Sequence, residues 1–381
     1  MRLIYVSPVP WASFEQRPHK FVRWFHASRG AEVLWFDPYP TRLPTPADLA
    51  RLRHGTLPPA PPVPAWLHVV RPRALPIEPL PVSGWVNRLL WADALARARA
   101  FAAGGPTLLV LGKPALFALQ LVHALERCGS LYDAMDDFPA FYRGLSRWAM
   151  RCRERRLARR VDALWASSSA LQQHWHGVRG DAQRVLNGLD AALLPTPRER
   201  RADAAPRVFG YVGTMAAWFD WSAIDALARA RPLDRVRLIG PRFEPPPPGL
   251  PANVELLPPC DHAQALRAMN AFDVGLIPFK RNALTAGVDP IKYYEYRALG
   301  LPVLSSAFGE MQRRGDEAGV FLYDECPDGI ASSVAAAARA ACGVARTAEP
   351  EAGYAGRHAW SARFDAAWLP APARERQRER R

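Results

Sequence analysis

Lysine is nearly absent from this chain: only Lys20, Lys113, Lys280 and Lys292 stand among its 50 basic residues. Long apolar runs are missing too. The longest, such as residues 108–111 and 274–278, are strand-sized and fall far short of the ~20 residues that a spanning helix needs. Cysteine is sparse and odd in number (Cys128, Cys152, Cys260, Cys326, Cys342), with no C-x-x-C pair, so neither a disulfide framework nor a zinc site is indicated. Met1-Arg2 leads into a short strand-like run and not into an apolar signal core, and the chain reads as cytosolic and reduced. Hydrophobic residues at 49% and charged residues at 23% exclude a mostly disordered chain. At ~100–200 residues per domain, the 381 residues suggest two domains.

What the chain has in excess is arginine and proline. Fifty basic against 36 acidic residues give a net charge of +14. A GC-rich genome inflates Arg, Ala and Pro together, but it does not dictate where the charge sits. Residues 1–190 hold 25 basic and 14 acidic residues, net +11, whereas residues 191–373 are net zero. The tail 374–381 supplies the rest, with five basic and two acidic residues. Residues 143–160 alone carry eight Arg against Glu154. A basic chain points first to nucleic acid or to an anionic membrane.

Apolar runs alternate with helical spacing along the chain. Residues 3–6 predict a buried strand, 19–27 a helix and 32–36 a second strand, a unit that implies a parallel sheet. Residues 37–81 contain 13 of the 38 prolines and read as an irregular insertion with one strand near 67–70. Beyond it, helices are expected over 86–102, 115–127 and 143–160, and strands over 107–111, 130–134 and 163–166. Ser168 offers an N-cap before a helix at 171–175. Residues 191–207 are polar and aperiodic and read as a linker. A second series of strands and helices runs from 208 to 341, a last helix is expected at 358–367, and the end is expected to be disordered. Two such series predict an α/β protein of two Rossmann-like domains facing each other across a cleft, which is the default ligand site.

The ordered motifs sharpen this. In the first half they are Gln16-Arg17-Pro18-His19, Tyr132-Asp133-Ala134-Met135-Asp136-Asp137-Phe138, Ala166-Ser167-Ser168 and Asn187-Gly188-Leu189-Asp190. In the second half they are Gly210-Tyr211-Val212-Gly213-Thr214, Leu238-Ile239-Gly240-Pro241, residues 273–279, and Asp289-Pro290-Ile291-Lys292-Tyr293-Tyr294-Glu295-Tyr296 leading into Gly300-Leu301-Pro302-Val303. In order and spacing the chain resembles a GT-B glycosyltransferase of bacterial surface-polysaccharide (exopolysaccharide) biosynthesis over roughly residues 2–368. The resemblance implies an acceptor-binding domain over 1–190, a linker over 191–207, a nucleotide-sugar-binding domain over 208–356, a helix over 357–368 crossing back to the first domain, and a basic tail over 369–381. It implies a UDP- or GDP-sugar as co-substrate, no metal and no other cofactor, and a lipid-linked or saccharide acceptor.

Each motif has a physical reading of its own. Residues 289–296 open a helix, whose exposed N–H groups and positive dipole end favour a diphosphate. Lys292 adds a point charge there. The resemblance gives Glu295 the ribose hydroxyls, and Asp289 and Tyr296 belong to the same motif. Taken in isolation, Lys292 and Glu295 are an i, i+3 pair on a solvated helix face. Gly213-Thr214 follows a strand and presents backbone N–H groups to a phosphate, or else forms an ordinary turn. Asp136 or Asp137 is the candidate general base that deprotonates the acceptor hydroxyl, with loop capping as the bland alternative. Arg17 and His19 are candidate substrate contacts at the top of the first sheet. Retaining members of the fold often carry Glu-x7-Glu. Here Gly287 stands at the first position, which favours inversion, in an arrangement similar to that of inverting glucuronosyltransferases.

Two other classes compete. A sugar-nucleotide 2-epimerase shares the fold but needs no second substrate. A basic nucleic-acid-binding protein fits the charge, yet no recognition motif is present and residues 143–160 have only Trp148 for stacking. The basic first half better suits an anionic, membrane-embedded acceptor, at about 1 kcal/mol per Lys or Arg near an anionic leaflet. The expectation is therefore a cytoplasmic enzyme, peripheral on the inner membrane face, that binds no nucleic acid; the sequence is silent on oligomeric state.

Overall fold

A computed structural model of the chain describes residues 1–39, 41, 62–75, 81–199, 206–324, 329–344 and 353–371. The chain divides into two compact units. Unit 1 is Met1–Val185 together with the chain from Phe364, and unit 2 is Leu186–Arg363.

Unit 1 is built on a seven-stranded sheet of β1 (Arg2–Val6), β2 (Glu32–Phe36), β3 (Leu67–Val70), β4 (Thr107–Leu111), β5 (Gly129–Ala134), β6 (Ala163–Ala166) and β7 (Gln183–Arg184), in the order β3-β2-β1-β4-β5-β6-β7. Every pairing is parallel. Strands β4, β5 and β6 are buried at every position, as parallel strands covered on both faces must be. That is why β4 and β6 appear in the sequence as apolar runs, whereas β5 carries Ser130 and Asp133 within it.

The helices of unit 1 are α1 (Arg17–Arg29), α2 (Pro81–Leu90), α3 (Ala92–Ala103), α4 (Leu116–Ala124), α5 (Gly144–Ala158) and α6 (Ser169–His176). The single helix expected over 86–102 starts earlier and turns at Trp91. The Trp91 indole is fully buried against Phe117 and Tyr39, while backbone hydrogen bonds run on through the turn. Ser168 caps α6 by accepting from the Leu171 N–H. The proline-rich segment and the basic tail expected to be disordered lie mostly outside the described residues.

Unit 2 holds a six-stranded parallel sheet of β8 (Val208–Val212), β9 (Arg235–Ile239), β10 (Val254–Leu257), β11 (Val274–Ile277), β12 (Val303–Ser306) and β13 (Val320–Tyr323), ordered β10-β9-β8-β11-β12-β13. Its helices are α7 (Trp221–Ala230), α8 (His262–Asn270), α9 (Ile291–Ala298), α10 (Ile330–Cys342) and α11 (Tyr354–Arg357), followed by α12 (Trp360–Asp365), where the chain passes back to unit 1. Gly275 in β11 lets α9 approach closely, since a Cβ there would lie 2.4 Å from the Tyr296 ring.

The helix expected over 358–367 is broken. Leu189 accepts from the Trp360 N–H and donates to the His358 carbonyl, so the backbone groups there are spent on a bridge instead of a helical turn. Past the break, Phe364 belongs to the core of unit 1, stacked on Trp165 and edge-on to Phe21. The segment expected as a linker begins with a 3-10 turn at Ala191–Leu193. Its Arg198 backbone N–H then donates to the Asn270 side chain.

Candidate functional site

In unit 2 the candidate residues gather at the N-terminus of α9, which follows β11 through a long loop. Pro290 is the N-cap and makes no side-chain bond, so the first-turn N–H groups have no capping acceptor from that residue. Lys292 lies in this first turn. Its ammonium is partly exposed and donates to Glu295 Oε2 at 2.9 Å. Glu295 Oε1 meets His262 Nε2 at 3.0 Å, and His262 Nδ1 lies 3.3 Å from Asp190 Oδ2. The result is a connected chain of polar groups, Lys292–Glu295–His262–Asp190.

Glu295 is 2% exposed. Loss of hydration alone pushes its carboxyl pKa up, but Lys292 and His262 outweigh this and hold it at about 2. Glu295 is thus a permanently ionised anchor with both oxygens engaged. The ammonium keeps N–H donors to spare, so the outward-facing member of the cluster is Lys292.

Asp190 closes the Asn187–Asp190 motif of the sequence, whereas His262 belongs to none of the motifs. His262 is the first residue of α8, fixed by a capping box between Asp261 and Gln264. The Asp-x-x-Gln spacing is a readable helix start. Nothing in the sequence shows that the residue beside the cap meets a glutamate 33 positions on.

Two neighbours in the motif are structural. Asp289 is buried. It binds Arg314 Nη2 at 2.7 Å and accepts from the Tyr294 hydroxyl and the Asn187 N–H. Tyr296 has no exposed surface, and its hydroxyl bonds the Gly210 and Leu276 carbonyls. Asp289 and Tyr296, expected as donor contacts, have their side chains engaged within the protein. Asp289 fixes the entry to α9, and Tyr296 packs it onto the sheet.

Gly213 and Thr214 follow β8 and are half-buried. The expected short turn into a helix is instead a loop, since α7 begins only at Trp221. A Cβ at Gly213 would lie 2.6 Å from the Tyr211 hydroxyl, and one at Gly240 only 2.1 Å from the Gly213 carbonyl oxygen. Two glycines thus let the ends of β8 and β9 come together. The Thr214 carbonyl accepts from Tyr211, and its hydroxyl is bonded to no other described residue.

In unit 1 the loop after β5 carries Asp136 and Asp137. Asp136 is half-buried and makes no hydrogen bond or ion pair with another described residue. Loss of hydration raises its pKa to about 7; Asp133 and Asp137 add repulsion and Arg17 opposes it. Asp137 is the residue before the 3-10 turn Phe138–Phe141, and its side chain makes no capping bond. Behind them lies a second buried acid. Glu154 on α5 accepts from the Tyr132 hydroxyl at 2.5 Å, and burial raises its pKa to about 8.

Arg17 and His19 turn inward. Arg17 is 3% exposed and grips Asp133 through Nε and Nη2 at 2.8–3.1 Å while donating to the Val185 carbonyl. His19 is fully buried between Trp11 and Trp35. Its Nδ1 accepts from the Gln16 N–H and its Nε2 faces the Trp11 carbonyl. Burial lowers its pKa, and a neutral ring uses both nitrogens in these bonds. Arg17 and His19, expected as substrate contacts, are placed here as an internal counter-ion for Asp133 and a core histidine.

Among the described residues, no helix is long and apolar enough to cross a membrane, and no group of three His, Cys, Asp or Glu is placed to hold a metal ion. No family model and no curated protein matches the chain. Solved structures do. Sucrose-phosphate synthase from Thermosynechococcus elongatus superposes with a TM-score of 0.63 at 15% identity, covering 99% of this chain and 98% of that one. The lipopolysaccharide outer core galactosyltransferase WaaB, in its apo form, gives 0.60 at 13% identity, over 96% and 98%. Trehalose-6-phosphate from E. coli bound with UDP-2-fluoro glucose gives 0.56 at 14% identity, over 97% and 100%. At such identities the likeness is one of architecture, and the architecture is GT-B: two Rossmann-like domains, each on its own parallel sheet.

Proposed function

We propose that the protein is a glycosyltransferase that moves a sugar from a nucleoside-diphosphate donor to an acceptor hydroxyl with inversion at the anomeric carbon. The observation that carries this reading is Asp136, a carboxylate without a hydrogen-bonding partner among the described residues, with a pKa near neutrality. Such a group is ionised in a large fraction of molecules at neutral pH and still basic enough to take a proton. As the acceptor oxygen attacks the anomeric carbon, Asp136 receives its proton. The bond from that carbon to the diphosphate breaks, and the nucleoside diphosphate leaves.

Unit 2 supports donor binding. The N-terminus of α9 and the Lys292 ammonium suit the diphosphate; in the loop after β8 the Gly213 and Met215 N–H groups are spent on the Ile239 and Pro241 carbonyls, which leaves the Thr214 N–H to add a donor. Glu295 and His262 act by holding Lys292 in place. A structure of the same fold was solved with UDP-2-fluoro glucose, which makes UDP-sugars the first donors to try. For the acceptor, the net +11 of residues 1–190 favours an anionic lipid-linked saccharide of surface-polysaccharide assembly, met by an enzyme peripheral on the membrane.

Thermal unfolding with a panel of UDP-, GDP- and dTDP-sugars tests the reading, because a ligand that binds only the folded chain raises the melting temperature. One donor is expected to stabilise the wild type and not Glu295→Ala. No stabilisation by any sugar nucleotide would count decisively against transfer. Incubating membrane extract with labelled donor then identifies the product, and its anomeric configuration reports inversion.

A further inference from the structure

On the helical side of unit 1, away from the loop that carries Asp136, lies a cavity of about 660 Å³ walled by α2, α3, α4 and the end of α5. Its floor is apolar, with Trp91, Leu95 and Leu119. Its rim carries Arg88, Arg99, Arg156 and Arg160, and among the described residues no acidic one lines it. All four arginines are exposed, and none forms an ion pair or hydrogen bond with another described residue. Elsewhere in the molecule Arg17, Arg179, Arg231 and Arg314 each hold a carboxylate. Four unneutralised guanidinium groups around an apolar hollow repel one another, and they would gain most from an anion that also brings a nonpolar body.

Helix α2 continues this pattern outward. Trp85, at the cavity mouth, is 76% exposed, and Leu89, one turn further on, is 79% exposed. Single exposed apolar residues are ordinary. A Trp and a Leu at i, i+4 on either side of Arg88 form an apolar ridge next to a basic socket. Tryptophan favours the interfacial layer of a bilayer, and guanidinium groups pair with phosphate oxygens in a bidentate manner.

We propose that this cavity seats the phosphate headgroup of an anionic bilayer lipid, with Trp85 and Leu89 entering the interfacial layer beside it. The proposal rests on the membrane part of the reading above and gives it an address. The four arginines take the headgroup phosphate, and the apolar floor takes the first part of the lipid's nonpolar body. The volume lies within the ~300–1,000 Å³ of small-molecule sites.

The test is co-sedimentation of the full chain with vesicles of phosphatidylcholine alone and of phosphatidylcholine mixed with phosphatidylglycerol. The wild type is expected to pellet with the mixed vesicles only. The double reversal Arg88→Glu/Arg156→Glu should weaken that binding about tenfold or more, and Trp85→Ala/Leu89→Ala should weaken it as well. Arg267→Glu/Arg339→Glu, which removes equal charge from exposed positions of unit 2, should bind like the wild type. Stabilisation by a sugar nucleotide, measured on the same proteins, should be unchanged by the unit 1 variants, and it separates misfolding from lost docking. Three results would overturn the proposal: equal binding to both vesicle types, equal loss in the unit 1 and unit 2 reversals, or vesicle indifference alongside tight binding of a short oligonucleotide that the Arg88/Arg156 reversal abolishes. If sugar nucleotides stabilise the wild type and mixed vesicles do not bind it, this inference falls and the transferase reading stands. If vesicle binding depends on these arginines and no sugar nucleotide has an effect, the reverse holds.

Discussion

Two carboxyl groups, one in each unit, respond to the loss of hydration in opposite ways. Glu295 in unit 2 is held at about 2, and Asp136 in unit 1 is raised to about 7. Both lose water. Glu295 gains a lysine and a histidine in exchange, whereas Asp136 has Asp133 and Asp137 nearby and shares Arg17 with the carboxylate that Arg17 grips directly. Burial with counter-charges makes a fixed anion suited to positioning. Burial without them makes a group that exchanges a proton near neutral pH.

The strongest test of this contrast is Asp136→Asn. It should lower the transfer rate by about 10²–10⁴-fold while sugar-nucleotide stabilisation is retained; full activity would place the base elsewhere. In the wild type, kcat/KM should rise with pH and level off above about 7, and a flat profile through neutrality would separate Asp136 from the chemistry. Arg17→Ala comes next. It strands Asp133 in the core, and losing one partner of a buried pair costs about 3–5 kcal/mol, visible in denaturant unfolding. Loss of activity without loss of stability would instead return Arg17 to the substrate.

Glu295 gives an acid-side signature. Its folded pKa is depressed, so its contribution to stability is fully present above about 4.5 and is lost as pH falls towards about 2. Urea midpoints of Glu295→Gln should show a smaller loss across that window than those of the wild type. Glu154 has the opposite sign. Its folded pKa is raised to about 8, so the folded state binds more protons than the unfolded one and stability declines as pH rises from about 4.5 to 8. Glu154→Gln should flatten that decline, and an unchanged slope would mean that the Tyr132 hydroxyl already compensates the charge.

The fold was legible because its strands are covered on both faces and so appear as short apolar runs at regular intervals. Local chemistry was legible as well: the i, i+3 contact of Lys292 with Glu295 follows from helix geometry and is present at 2.9 Å. What stayed hidden depends on partners far along the chain. Arg17 looked like an exposed cation at a loop until its carboxylate, 116 residues away, was placed. Asp289 looked like a ligand group until Arg314 covered it, and His262 drew no notice without Glu295. Charge read along the sequence counts groups but does not say which are already neutralised. Among the described residues the four arginines of the cavity, and not the more conspicuous Arg17, are without an acid.

The bridge between Leu189 and residues 358–360 has a topological consequence. Unit 2 enters the chain at 186 and leaves at 363, and its two ends are clipped together by hydrogen bonds of 3.0 and 3.1 Å. It is an inserted unit whose two ends are neighbours. A fragment that stops at Val185 lacks Phe364 from its aromatic core, so the last step in making unit 1 waits for nearly the whole chain to be synthesised.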